Sequence, residues 1–268
     1  MLAIGHQKAT VQTLIDGNRA LYEAKKHRDV GINLKLIAVQ DLRFLAFSDA
    51  SFASAEVPGS HSGMFIVATH KDILQNHTTP ISPISWGSKK IHRVVTSTLA
   101  AETTSLQSTL DQLSWIRLCW SWLLDPQTAW KTPSTTLQTL PEGITTVALP
   151  DVAATDCKSL YDLVSRTAPP NCQEFRTQLN ARAIKEQLAE GCVLKWVHSG
   201  AQLADSLTKI MPSDCLRATL REGTYKLHDA TEILKERACH RNRLKWLRGD
   251  VSAESLDVRE ADNILLGV

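Results

Sequence analysis

The run Phe44-Leu45-Ala46-Phe47-Ser48 constrains this chain more than any other segment. It is apolar on both alternating sides, so it predicts a central strand covered on both faces rather than an edge strand with one wet side. Asp49 closes the run. Turn chemistry follows in Glu56-Val57-Pro58-Gly59-Ser60, and residues 62–69 predict the returning strand of a hairpin. A polar loop, Asn76-His77-Thr78-Thr79-Pro80, then leads to a third strand near 84–89. The pattern is an antiparallel meander.

The strongest helical signal comes next. Leu99, Leu106, Leu110, Leu113, Trp120 and Leu124 recur at steps of three, four and seven, which marks one apolar face. Thr96, Ser97 and Thr98 offer N-caps, and Asp125-Pro126 stops the helix. The Trp115, Trp120 and Trp122 group reads as helix packing. Residues 127–143 are weakly patterned and predict a surface insertion. A strand within 147–155 follows, then a helix at 159–164 closed by Ala168-Pro169-Pro170. Residues 175–189 predict a helix ended by Gly191, 193–197 a strand, and 202–209 a helix running toward Pro212. Upstream, residues 8–28 predict a helix with Lys25, Lys26 and Arg28 in its last turn, followed by an apolar run at 34–39. Residues 213–238 mix helix and loop, 235–248 are densely basic, and the last twenty residues are acidic and loosely ordered. The fold class is α/β. It has a five-stranded mixed sheet flanked by helices, with three antiparallel strands first and two parallel ones added by helical crossovers.

With 268 residues the chain can bury one full core and carry flanking segments. A net charge of +2 is too small to announce a polyanionic partner, so any nucleic-acid surface must be a local patch. The six cysteines are scattered without a C-x-x-C pair, which excludes a zinc or redox motif and suits reduced thiols in the cytoplasm or nucleus. The segment 115–124 is apolar but short and interrupted by Arg117, and the first residues lack a signal-peptide core. A soluble protein with no membrane partner is expected.

Four acids sit where stability would not place them. Asp49 closes a central strand, Glu102 lies on the apolar helix face, Asp156 ends the fourth strand, and Asp205 stands in the apolar run Leu203-Ala204-Asp205-Ser206-Leu207. Singly, each has an ordinary explanation: Asp49 as a turn former, Asp156 as a helix N-cap, Glu102 and Asp205 as acids at the edge of an apolar stripe. Glu102 resists this most, because an unpaired buried carboxylate costs on the order of several kcal/mol. A shared explanation places Asp49 and Asp156 at the carboxyl ends of neighbouring parallel strands, with Glu102 and Asp205 closing a cluster. Four repelling oxygen ligands suit hard cations, so Mg²⁺ is the expected occupant and Mn²⁺ an acceptable one. Two such ions roughly 3.5–4 Å apart clamp the attacking and leaving oxygens of a phosphodiester.

These residues carry a family resemblance. Ile84-Ser85-Trp86-Gly87-Ser88-Lys89-Lys90 through Ser97-Thr98-Leu99-Ala100-Ala101-Glu102 resembles the I-S-W-x-S-K-K…S-x-x-E-A-E segment of ribonuclease H domains in copia-type (Pseudoviridae) retrotransposon Pol polyproteins. Phe47-Ser48-Asp49-Ala50-Ser51-Phe52 resembles the F-S-D-A-D/S-W start of that domain, and His61-Ser62-Gly63 falls where the family has S-T-S-G-Y. Gln202-Leu203-Ala204-Asp205-Ser206-Leu207-Thr208-Lys209 is similar to its closing Q-L-A-D-x-x-T-K. Departures occur as well. Thr155-Asp156-Cys157-Lys158-Ser159 replaces D-N-Q-S, Ala100-Ala101-Glu102 lacks the first acid of E-A-E, and Phe175-Arg176-Thr177-Gln178-Leu179-Asn180 keeps little of a basic, His-containing stretch.

The resemblance implies a ribonuclease H-like fold that hydrolyses the RNA strand of an RNA–DNA hybrid. Asp49, Glu102, Asp156 and Asp205 would be the metal-binding, catalytic acids. His198, in Trp196-Val197-His198-Ser199-Gly200, would be a proton shuttle; the alternative is an exposed loop histidine. Lys89, Lys90 and Arg93, with His92, lie between the third strand and the long helix and suit phosphate contacts, or simple solvated charge. The implied organisation is an N-terminal helix and linker over 1–40, like the connection after a reverse transcriptase, then the ribonuclease H-like domain over 41–211. A C-terminal extension with a basic helix and acidic tail spans 212–268. Reverse transcriptase or other Pol products are the implied protein partners. The rival reading is a catalytically silent module of the same fold, left by a transposon.

Overall fold

The computed structural model describes residues 10–53, 59–124, 137–139, 145–147, 150–209 and 213–227. Its elements are α1 (Val11–Lys26), β1 (Leu42–Ser51), β2 (His61–His70), β3 (Thr78–Lys90), α2 (Thr98–Leu124), β4 (Leu137–Thr139) and β5 (Thr145–Val147). They continue with β6 (Asp151–Thr155), α3 (Lys158–Ser165), α4 (Phe175–Ala189), β7 (Cys192–Trp196), α5 (Asp205–Thr208), α6 (Asp214–Glu222) and β8 (Thr224–Lys226). The basic stretch 235–248, the acidic end and Glu56-Val57-Pro58 lie outside the described residues.

β1 is central, as its composition predicts. The sheet order is β7-β6-β1-β2-β3-β8. β1, β2 and β3 form the antiparallel meander, and β6 and β7 extend it in parallel beside β1. This is the ribonuclease H-like arrangement that the resemblance implies. One face of β1 packs Phe44 and Ala46 with Ile66, Leu106, Leu110, Leu113 and Leu160 beneath α2, α3 and α4. The other packs Leu45 and Phe47 with Phe65, Val67, Leu203 and Tyr225. Burial of each large side chain there contributes roughly 1.5–3 kcal/mol.

Several predictions of detail are corrected. The principal sheet has six strands, because β8 pairs antiparallel with the start of β3 and places Tyr225 edge-on to Phe47 at 5.1 Å. Three residues carry too little periodicity to announce a strand. β8 lies beyond the predicted 41–211 span, so the sheet also draws on the segment read as an extension. A second, two-stranded sheet pairs β4, inside the predicted surface insertion at 127–143, with β5 just after it. The helix predicted over 202–209 is only the single turn α5, preceded by a 3-10 turn at Ser199–Ala201. β1 continues to Ser51, so Asp49 lies inside the strand rather than at its end. Of the three tryptophans, only Trp120 packs, edge-on against Phe44 at 6.3 Å. Trp115 and Trp122 are 60% and 49% exposed, since they flank the buried face instead of lying on it. The apolar run at 34–39 forms no strand up to Ala38 and is tied to β3 through Lys35 and the Ser82 hydroxyl.

Local signals do set the helix ends. Thr10 caps α1 in a capping box with Thr13, Ser97 accepts from the Ala100 N–H at the start of α2, and Gly191 takes φ 105° after α4. α1 buries none of its residues and reaches the domain through ion pairing of Glu23 with Arg217 on α6. Among the described residues no helix is long and apolar enough to cross a membrane.

One buried ion pair fixes the register that matters for function. The Asp151 carboxylate, at the start of β6, accepts from the Phe44 N–H of β1 at 2.9 Å and from Arg117 Nε of α2 at 3.1 Å. Burial pushes the Asp151 carboxyl above its ordinary value, against the pull of Arg117. Asp151→Ala would strand the guanidinium and the strand N–H, at an expected cost of about 3–5 kcal/mol in urea denaturation. The exposed Trp122→Ala is expected to stay within about 0.5 kcal/mol in the same measurement.

Candidate functional site

The parallel register ends at Phe47↔Ala154, and Asp49 and Asp156 each stand two residues further along the chain. These two acids are therefore neighbours by construction, one inside β1 and one just past β6. Asp49 is fully buried. Asp205 arrives from above, on α5. One carboxylate oxygen from each of Asp49, Asp156 and Asp205 lies within 4.8 Å of the others.

α5 can sit this close because β2 carries Gly63 opposite Asp49. A Cβ at Gly63 would stand 2.6 Å from Thr208 Cγ2 and 3.2 Å from the Ala204 carbonyl oxygen. The approach to α5 is pinned by Gln202, whose Nε2 donates to the Ser48 carbonyl at 2.9 Å and whose Oε1 accepts from the Ala204 N–H. Tyr225 on β8 donates its hydroxyl to the Ala201 carbonyl at 2.9 Å. The Q-L-A-D segment is thus a built turn.

Each acid has its own anchor. Thr208 Oγ1 donates to Asp49 Oδ2 and also to the Asp205 carbonyl. Trp196 Nε1 donates to the Asp156 carbonyl at 2.9 Å, and the nearby Ser199 side chain favours the ionised form of the Asp156 carboxylate. Glu102 is held by the turn that follows it. Ser105 Oγ donates to the Asp49 carbonyl at 2.7 Å and accepts from Ser48 at 3.1 Å, with Ser62 Oγ 2.8 Å away. Three hydroxyls thereby let α2 approach β1 and β2 closely, and Glu102 is carried to the sheet with 5% of its surface exposed.

Three of the four predicted acids form the tight cluster, and Glu102 stands beside it. The nearby Ala50 N–H favours the charged form of Glu102, while Oε2 is buried with no partner among the described residues. Burial, and then the charges of Asp49 and Asp156, push the Glu102 carboxyl up to about 9. Asp205 is raised to about 6, mostly by burial, with the hydrogen bond from Lys209 pulling the other way. Asp156 is raised by burial and by Asp49.

The remaining predicted residues are less concentrated. His198 accepts the Gly200 N–H on Nδ1 at 3.1 Å. That bond leaves Nε2 to carry the proton of the neutral ring. Lys89 and Lys90 are exposed at the end of β3. Arg93 is half-buried and donates to Thr104 on α2, so part of its fork is committed to the protein. Sequence reasoning missed Lys209, which ion-pairs with Asp205 at 2.5 Å and with Asp49 at 3.3 Å. An acid and a lysine four residues apart are a recognisable helical pair, and that spacing was the available signal.

The donor set fits a divalent cation. Carboxylate oxygens converge, a buried Glu102 oxygen lacks a donor, and an ammonium already answers two of the acids. No protein-family model matches the sequence, and neither does any curated protein. Among solved structures the chain is similar to the N-terminal RNase H domain of a Mycobacterium tuberculosis protein, fused to maltose-binding protein. The identity is 16%, with 68% of this chain and 98% of that one covered at a TM-score of 0.36. It is also similar to RNase H1 from the halophilic archaeon Halobacterium salinarum, with 13% identity, 66% and 98% coverage and a TM-score of 0.37. A third is the foamy viral protease-reverse transcriptase in complex with RNA/DNA hybrid, with 12% identity, 66% and 21% coverage and a TM-score of 0.32.

The raised carboxyls make stability depend on pH in a defined direction. Unfolded, Glu102 and Asp205 would release their protons near 4.5 and 3.8; folded, they hold them to about 9 and about 6. Between those limits the folded state binds more protons, so stability falls as pH rises. Without divalent metal, the melting temperature is expected to decline from about pH 4.5 toward about pH 9. Glu102→Gln is expected to flatten that decline, as read by calorimetry across the range.

Proposed function

We propose that this chain is a divalent-metal-dependent endonuclease of ribonuclease H type, acting on the RNA strand of RNA–DNA hybrids and derived from a copia-type retrotransposon Pol polyprotein. The observation that carries the reading is the convergence of Asp49, Asp156 and Asp205, which are far apart in sequence, on one partly buried point. The motifs around them supply the substrate class, since they resemble those of the copia-type domain in order and content.

In this reading Asp49, Asp156 and Asp205 hold Mg²⁺, or Mn²⁺, and Glu102 offers its unanswered oxygen from the side. When bound, such ions stabilise charge on phosphate oxygens and lower the pKa of an attacking water. Thr208 keeps the Asp49 carboxylate aimed and Trp196 holds the Asp156 backbone, so little reorganisation is asked of them at the moment of reaction. His198, two residues after the Trp196 that bonds the Asp156 carbonyl, moves the proton of the water or the leaving oxygen. Lys89 and Lys90, with Arg93 behind them, take phosphates of the hybrid. Selection of RNA rests on its 2′-hydroxyls and the shape of the hybrid. The segment 1–40 serves as a connection from a reverse transcriptase, 41–211 is the catalytic unit, and 212–268 is an extension that lends β8 to the sheet. Scattered cysteines suit a chain working in the cytoplasm or nucleus, with reverse transcriptase or other Pol products as partners.

The test uses the purified chain with an end-labelled RNA–DNA hybrid beside duplex DNA of the same sequence. The RNA strand of the hybrid is expected to be cut in Mg²⁺ and spared in chelator. Asp49→Asn should lower the rate by more than ~100-fold, the upper end of what even outer-shell changes cost at metal sites. Cleavage in neither Mg²⁺ nor Mn²⁺ would leave the silent module as the surviving account, and equal cutting of duplex DNA would point to a different nuclease.

A further inference from the structure

We propose that Lys209 is a built-in competitor for the metal: its ammonium bridges Asp49 and Asp205 while no divalent ion is bound, and it must leave for one to enter. The inference rests on the cluster being a metal centre. Lys209 Nζ lies 2.5 Å from Asp205 Oδ1 and 3.3 Å from Asp49 Oδ1. Both carboxylates belong to the converging set. Mg²⁺ needs carboxylate oxygen at about 2.0–2.1 Å in near-octahedral geometry, and an ammonium seated on two of the same carboxylates competes for them.

The geometry also provides the exit. Lys209 is the C-cap of α5 with an extended backbone (φ −122°, ψ 146°), and 41% of its side chain is exposed. A compact charge on a flexible four-carbon stem can swing to water at small cost. Its departure does not undo the site, because Thr208 still holds Asp49, Trp196 still holds the Asp156 backbone, and Gln202 still pins the turn before Asp205. Lys209 is in ion-pair contact with two of the three clustered acids. Before metal arrives it is what balances the acids, and metal binding becomes an exchange of one cation for another.

Mn²⁺ binding followed by electron paramagnetic resonance on the full chain separates the possibilities. Lys209→Met is expected to bind Mn²⁺ on the order of tenfold more tightly than the unaltered protein, a size usual for coupled binding events. Its metal-free melting temperature should fall and recover when Mn²⁺ is added. Lys209→Arg should retain the competition. In the unaltered protein, acetylation of the Lys209 amine by acetic anhydride, read by mass spectrometry, should accelerate several-fold at saturating Mn²⁺. Equal or weaker Mn²⁺ binding by Lys209→Met, or an acetylation rate that ignores Mn²⁺, overturns the competitor while leaving the metal centre standing. If neither protein binds Mn²⁺, the metal centre itself is refuted and the competitor falls with it.

Discussion

Carboxylates gathered in one place repel, and the repulsion strengthens as water is excluded. A fold that buries Asp49 entirely and sets two further aspartates within 4.8 Å must therefore force them together. Here the force is the parallel pairing of β1 with β6. Once Phe44 and Asp151 are joined, the register brings Asp49 and, just past the end of β6, Asp156 to neighbouring positions, and Asp49 cannot withdraw without unpairing a central strand. The hydrophobic layers on both faces of β1 supply the stability that this arrangement consumes.

Around that constraint the polar details form a consistent set. Gly63 gives α5 its seat, Gln202 and Tyr225 fix the turn before it, and the Ser48, Ser62 and Ser105 hydroxyls bring α2 against the sheet. These groups sit under the acids and hold the acids' backbones still. The same economy explains why a four-residue helix suffices for Asp205, since its position is set by the side-chain bonds of Gln202, Thr208 and Tyr225 rather than by helix length.

Much of this was legible in the sequence, for identifiable reasons. A strand apolar on both sides declares itself central, and the stepped leucines of α2 declare the face on which Glu102 intrudes. The convergence of Asp49 and Asp156 followed from one assumption, parallel neighbours, which the register bears out. What escaped notice was short or lay off the periodic face. β8 is three residues long, α5 is one turn, and Trp115 and Trp122 lie beside a stripe that looks apolar all round. Lys209 was visible within a motif, but its partnership with Asp49 spans 160 residues and no local pattern reports it.

The central claim is that these chain-distant acids form one centre for divalent metal. Crystals soaked in Mn²⁺ and measured at the manganese absorption edge address it directly. The account requires an anomalous peak bonded to the carboxylates of Asp49, Asp156 and Asp205, with the Lys209 ammonium turned away. A structure with no peak there, or with the three aspartates facing separate surfaces, would contradict it.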